Sequence, residues 1–269
     1  MKIFVLGANG MLGTYVDKYL RQQDYDVFSV TRLELDASRS SEIGLMNFGF
    51  EPEDVIINCV GLIKHREGLA ILDFIRVNTV FPLELSNVCE EIGCKLIHIT
   101  TDCVFSGKDG NYDEDSDHDA KDIYGISKSL GEPENATIIR TSIIGEEEDN
   151  QLSLVEWIKK QTGKETNGYT NHFWNGITCL QFAKICEYII EEDVFWQGVK
   201  HIVSPTAVNK QELVQMVSDV YDLDITVNPF ETPEKCDRTM SSIRTDVEIE
   251  MPELEDQIRD MKEFYNGFK

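Results

Sequence analysis

The chain has 269 residues, 41% of them hydrophobic, enough to bury a core as one large domain or as a domain with a smaller lobe. Its 25 Lys and Arg against 49 Asp and Glu leave a net charge of −24, which repels phosphate backbones and anionic lipid, so no nucleic-acid or membrane partner is expected. The N-terminal apolar run is too short for a signal peptide and no stretch approaches the length of a membrane span, so the expected location is the cytoplasm.

In chain order, Ile3-Phe4-Val5-Leu6 is a short apolar run that stops at Gly7, and a helical pattern follows (Met11, Leu12, Tyr15, Val16, Tyr19, Leu20). Residues 27–30, 55–60, 96–99 and 136–140 read as further strands, with a helical pattern over 77–92. Continuous apolar strands separated by helices predict an α/β fold, a doubly wound parallel sheet of the Rossmann type covered on both faces. Beyond residue 145 the pattern changes. Residues 146–150 read as an acidic loop, 154–160, 180–191, 210–221 and 251–264 as helices, and 199–203 and 225–227 as strands. The expected division is a dinucleotide-binding domain over 1–148, to which 176–203 return, and a substrate-binding lobe made of 149–175 and 204–269. Seven scattered cysteines with no CxxC pair suggest neither a disulfide framework nor a zinc site, and no carboxylate cluster has metal-ligand spacing.

Gly7-Ala8-Asn9-Gly10-Met11-Leu12-Gly13 fits GxxGxxG between a strand and a helix. Glycines let the backbone approach a pyrophosphate, and the helix N-terminus offers it free N–H groups and a positive dipole. The second strand ends without an acid to bond a ribose 2′-hydroxyl; Thr31-Arg32 follow instead. The expected cofactor is therefore NADP(H), with NADPH preferred over NADH, Arg32 beside the 2′-phosphate and Asp36 near the adenine.

Tyr124-Gly125-Ile126-Ser127-Lys128 is YxxxK, which on a helix turns both functional side chains to one face. A phenol titrates near ~10 and needs help to exchange protons at neutral pH; a nearby ammonium favours the phenolate. Residues 265–269 repeat the pattern at a fraying terminus and read as chance. The Tyr124 copy follows a strand that ends in Thr100-Thr101-Asp102, and the C-terminal tips of parallel strands are where ligands bind.

Taken in order, GANGMLG, Thr100-Thr101-Asp102-Cys103-Val104-Phe105-Ser106-Gly107 and Tyr124-xxx-Lys128 resemble the extended short-chain dehydrogenase/reductases, above all the dTDP-4-dehydrorhamnose reductase branch with its STDxVFxG hallmark. Asn58-Cys59-Val60-Gly61 resembles the loop over the cofactor, Arg76-Val77-Asn78 the helix asparagine, residues 139–142 the following strand, and Asp237-Arg238-Thr239-Met240 the late DRSL-like segment. The likeness covers most of the chain and is densest up to about residue 145. It implies reduction of the C4 keto group of a nucleotide-linked 4-keto-6-deoxy sugar, with Tyr124 protonating the oxygen, Lys128 tuning Tyr124 and binding the nicotinamide ribose, and Thr101 bonding the reacting oxygen. It implies a substrate site at Cys103, Val104, Phe105, Trp174 and Arg238, a cofactor site that includes Cys59, Val60 and Gly61, and a homodimer as one candidate assembly. Ile143 stands where the branch often has tryptophan, which opens the identity of the sugar. Cys103 stands where the branch has tyrosine and where related epimerase/reductases have a cysteine that exchanges protons beside the ketone, so a bifunctional 3,5-epimerase/4-reductase is the alternative enzyme. A non-catalytic NADP(H) sensor is the alternative from another class.

Overall fold

The computed structural model describes residues 1–64, 68–147 and 151–267. Residues 148–150 of the expected acidic loop and Lys269 of the second YxxxK lie outside them. In the first half the elements are β1 (Ile3–Leu6), α1 (Met11–Gln22), β2 (Val27–Val30), α2 (Glu42–Met46), β3 (Val55–Asn58), α3 (Ile71–Phe74), a π-helical stretch (Ile75–Val80), α4 (Phe81–Ile92), β4 (Lys95–Thr101), α5 (Ile123–Ser129) and β5 (Thr137–Thr141). The second half holds β6 (Ile143–Ile144), α6 (Leu154–Lys159), β7 (Lys164–Tyr169), β8 (His172–Trp174), β9 (Ile177–Thr178), α7 (Cys179–Glu191), β10 (Gly198–His201), β11 (Val208–Asn209), α8 (Lys210–Val220), β12 (Ile225–Phe230), β13 (Cys236–Asp237) and α9 (Leu254–Asn266).

Six strands form one parallel sheet in the order β10-β5-β4-β3-β1-β2. Strand side chains alternate between faces, and both faces are covered here. Ile3, Val5, Val55, Ile57, Ile97 and Ile139 enter one core with α1, α7 and α9; Phe4, Leu6, Ile56, Leu96 and Ile138 enter the other with α4. This double burial is why the strands read as unbroken apolar runs rather than as alternating ones. The strand order reverses at β1, between β2 and β3, which opens a crevice at the C-terminal ends of the strands.

Late in the chain the sequence pattern was thinner. Residues 171–176, a polar-aromatic cluster before a helix, contain β8, the middle strand of a small sheet in the order β11-β8-β13. β7 (KETNGY) pairs in parallel with β12. It carries little apolar patterning because most of its residues are exposed. β10 adds to the edge of the six-stranded sheet beside β5.

Candidate active site

A cleft of ≈ 440 Å³ lies at the reversal point of the sheet, lined among others by Gly7, Asn9, Gly10, Arg32, Asp36, Cys59, Val60 and Gly61. Gly7 adopts φ 76°, a left-handed conformation that suits glycine, and turns the chain from β1 toward α1. α1 starts at Gly10 with no side-chain cap and no acidic residue in its first turn, so its leading N–H groups are left for an anion. A Cβ on Gly13 would lie 2.1 Å from the Gly7 carbonyl oxygen, so Gly13 lets helix and loop pack closely. These features fit a dinucleotide pyrophosphate. Leu12, expected among cofactor contacts, is buried in the core, and Met11 packs against that core; only their backbone N–H groups are placed for a ligand. Gly13 is likewise buried and acts through packing.

At the adenosine end, Arg32 pairs with Asp36 at 3.4 Å, and Arg39 approaches the same carboxylate oxygen at 3.9 Å. Asp36 accepts the Ser38 N–H and hydroxyl at 3.0 and 2.7 Å. These bonds and Arg32 hold its carboxyl below the usual range despite partial burial, which acts the other way. The arginine expected beside a 2′-phosphate thus shares a carboxylate with a second arginine.

Thr101 ends β4, and its hydroxyl accepts the Cys103 N–H and donates to Asp102, both at 3.1 Å. Asp122 caps α5 by accepting the Gly125 N–H at 3.0 Å, and so sets where Tyr124 enters the site. Tyr124 contacts the Thr101 hydroxyl, which lowers its pKa, but burial dominates and raises it well above the ordinary phenol value. Lys128 is buried, and its Nζ donates to the Ile99 carbonyl at 2.8 Å. The lysine is held by the backbone of β4, and desolvation outweighs the other influences on the phenol. Burial also pushes Lys128 down to about 8, opposed by Glu132 and Cys59. Cys59 joins the two regions, since it lines the cleft and interacts with Lys128. The cleft itself stops short of Tyr124 and Thr101.

The expected substrate residues divide. Val104 and Phe105 are fully buried in a small satellite core with Tyr112 and Met240, a correction to their reading as substrate contacts. Phe105 stacks on Tyr112 at 4.2 Å and carries the Arg140 guanidinium over its ring at 5.3 Å. The side chain therefore shapes the loop. Trp174 is 3% exposed, and Arg238 spends part of its fork on the Phe105 and Ser106 carbonyls at 2.9 and 3.4 Å. Cys103 stays partly exposed, and burial, followed by the Asp102 charge, pushes its thiol up to about 12.

Two lysines beside this site went unread in the sequence. Lys64 bridges to Asp122 at 2.7 Å and lies over the Tyr124 ring at 5.8 Å. Lys210 lies over the Trp174 ring at 5.0 Å, and burial lowers its pKa against the Asp102 charge. The register of the small sheet puts Val208 opposite Trp174 from one side and Asp237 opposite Phe173 from the other, and Lys210 and Arg238 are near enough to repel each other. A lysine at the first position of a helix opposes the helix dipole, and that was the available signal for Lys210.

A family model described as RmlD substrate binding domain matches residues 1–261. The chain belongs to that family. Among curated relatives, the spore coat polysaccharide biosynthesis protein SpsK of Bacillus subtilis (strain 168) is 32% identical over 149 residues, 52% of each chain. The probable low-salt glycan biosynthesis reductase Agl14 of Haloferax volcanii is 23% identical over 306 residues, 100% of this chain and 99% of its own. The chain spans about half the length of most of the curated relatives it matches. Among solved structures, the dTDP-4-dehydrorhamnose reductase of Bacillus anthracis str. Ames in complex with NADP has a TM-score of 0.80 at 20% identity, covering 98% of this chain and 99% of that one; the likeness is one of fold. No helix among the described residues is long and apolar enough to cross a membrane. No group of His, Cys, Asp or Glu among them is arranged to hold a metal ion.

Proposed function

We propose that this chain is an NADPH-dependent reductase that acts on the C4 keto group of a nucleotide-linked 4-keto-6-deoxy sugar. The observation that carries the reading is the meeting of Thr101 and Tyr124 at the end of β4, next to Lys128 and a glycine-walled cleft at the sheet reversal. Residues 1–148 with 176–203 would hold the cofactor, and 149–175 with 204–269 the sugar nucleotide.

When bound, the reduced nicotinamide supplies a hydride to the carbonyl carbon. Gly7, Gly10 and the first turn of α1 would hold the pyrophosphate, and Arg32 the 2′-phosphate. Lys128 would bond the nicotinamide ribose. The raised pKa of Tyr124 keeps its proton in place at neutral pH, and the phenol O–H then donates that proton to the carbonyl oxygen as negative charge develops there. Thr101 would turn its single hydroxyl proton from Asp102 to give the same oxygen a second hydrogen bond. Lys210 and Arg238, two neighbouring cations, would receive the substrate diphosphate.

The Cys103 thiol favours simple reduction over the epimerase/reductase alternative. A thiol pushed up to about 12 stays protonated at neutral pH and is a poor base for taking a proton from a ring carbon. The deciding experiment is turnover with NADPH and nucleotide 4-keto-6-deoxy sugars in heavy water, read by product mass. Reduction with no carbon-bound deuterium supports the reductase. Ring deuterium that disappears in Cys103→Ser would move the assignment to the epimerase/reductase. NADPH binding without turnover on any such sugar would leave the sensor.

A further inference from the structure

Away from this site, at the opposite end of β4, two thiols meet. Helix α4 ends in Cys89-Glu90-Glu91-Ile92-Gly93-Cys94. Gly93 takes φ 89°, and the N–H groups of Gly93 and Cys94 both donate to the Cys89 carbonyl, at 2.9 and 3.0 Å. This helix stop folds the chain back so that the side chain just after the glycine lies on the one in the last turn, a place commonly filled by an apolar pair. Here both positions are cysteine, and both are buried. Both line a cleft of ≈ 400 Å³ together with Lys95, Asn135, Phe195 and Trp196. Among the other five cysteines, Cys59, Cys179 and Cys186 interact only at a distance, and Cys103 and Cys236 lie near Lys210 at the candidate site.

We propose that Cys89 and Cys94 form a dithiol modification site that a small disulfide converts to a Cys89–Cys94 disulfide. Cys94 follows the helix stop and is the more accessible of the two, 7% exposed against 2% for Cys89, which makes Cys94 the attacking group. Lys95 lines the same cleft, with its ammonium over the Phe195 ring at 5.5 Å. The Cys94 thiolate attacks one sulfur of the oxidant, the oxidant's S–S bond breaks, and one thiolate leaves. Cys89 then loses its proton and attacks the Cys94 sulfur of the mixed disulfide, expelling the second thiolate. Two protein thiols are oxidised, one small disulfide is reduced to two thiols, and the two protein protons go to those thiols.

Trypsin isolates the pair, because residues 77–95 lie between Arg76 and Lys95 and contain these two cysteines and no others. The folded protein is treated with excess oxidised glutathione, blocked with iodoacetamide, digested without reductant and weighed. The expected peptide 77–95 is lighter by two hydrogens and unalkylated, and dithiothreitol restores both alkylation sites. Cys89→Ser is expected to stop at one glutathione on Cys94. The proposal is overturned if 77–95 returns doubly alkylated while the partly exposed Cys103 or Cys236 carries glutathione, or if the disulfide forms only in urea. A Cys89→Ser protein with an unmodified Cys94 overturns the assignment of the attacking thiol.

Discussion

Tyr124, Lys128 and Arg32 each hold their places through a different force, and each place predicts a measurement. Tyr124 is kept protonated by burial and directed by Thr101. Tyr124→Phe should lower kcat by about two to four orders of magnitude, the usual span for removing a general acid, while NADPH binding followed by fluorescence stays intact. Unchanged turnover would remove the phenol from the mechanism. Lys128 is charged below about pH 8 and neutral above it, because burial disfavours the ammonium. The charged form is the one that can donate all its hydrogen bonds to a ribose and to Ile99, so kcat/KM should fall as pH rises through about 8, a limb that Lys128→Arg, always charged, should lack. Arg32 is 71% exposed and tied to Asp36, so its value lies in the ligand rather than in stability. Arg32→Ala should raise the KM for NADPH about tenfold or more relative to that for NADH, about 1.4 kcal/mol; equal effects on both cofactors would sink the 2′-phosphate reading.

At the scale of elements, the turn from β1 into α1 is limited by a single hydrogen-sized space. Gly13→Ala would drive a methyl into the Gly7 carbonyl, so strand, loop and helix must part. Such overpacking costs about 1–3 kcal/mol, and a lowered Tm together with weaker NADPH binding is expected. A drop in Tm with unchanged NADPH affinity would mean that the loop does not contact the cofactor. This element was readable from sequence because strand, glycines and helix are neighbours in the chain, and so was the Thr101 and Tyr124 pairing, since strand tips and helix faces follow from local periodicity. The resemblance that put Val104 and Phe105 in the substrate site carried no sign that Tyr112 and Met240 close over them. Lys210 and β8 were illegible for a related reason: their meaning arises when residues 174, 210 and 238 converge across a small sheet of two- and three-residue strands. Strands that short carry too few residues to display a period.

For the whole molecule, a buried polar network ties the sheet to the late loops. Arg140 on β5 forks onto Glu132, with its closer nitrogen at 2.5 Å, and also donates to His201 Nε2 and His118 Nε2 at 2.8 Å each. His201 Nδ1 faces the Ser241 carbonyl at 2.8 Å, so that nitrogen carries the proton and Nε2 accepts from Arg140; the ring is neutral. Burial and the arginine lower both histidines, against Glu132, Asp117 and Asp119 around His118 and Glu114 beside His201. Their folded pKa values lie below the ordinary 6.5, so between the two values the unfolded chain binds more protons and stability rises with pH. The stabilisation is complete above 6.5 and is lost as the solution is acidified below it. The urea midpoint should therefore drop from about pH 7.5 to about pH 5.5, and His201→Gln should flatten that slope; a pH-independent midpoint would refute the neutral-ring assignment. Arg140→Met would strand Glu132 in the interior and should cost about 3–5 kcal/mol.

The π-helical stretch Ile75–Val80 is wound more loosely than the α-helix that continues from it, which amounts to one residue more than the turn requires. Asn78 occupies that surplus turn and from there grips the loop after β3, accepting the Leu62 N–H at 2.8 Å and donating to the Leu62 carbonyl and to Ser127 on α5 at 3.1 Å each. Removing one residue here would let the helix rewind by about a hundred degrees, since an α-helix turns once per 3.6 residues. The asparagine would swing out of the interior while the helix itself survived. A single-codon deletion would thus leave the helix content intact and cut the strut between the cofactor loop and the tyrosine helix, a lesion visible to amide exchange at Leu62 and invisible to circular dichroism.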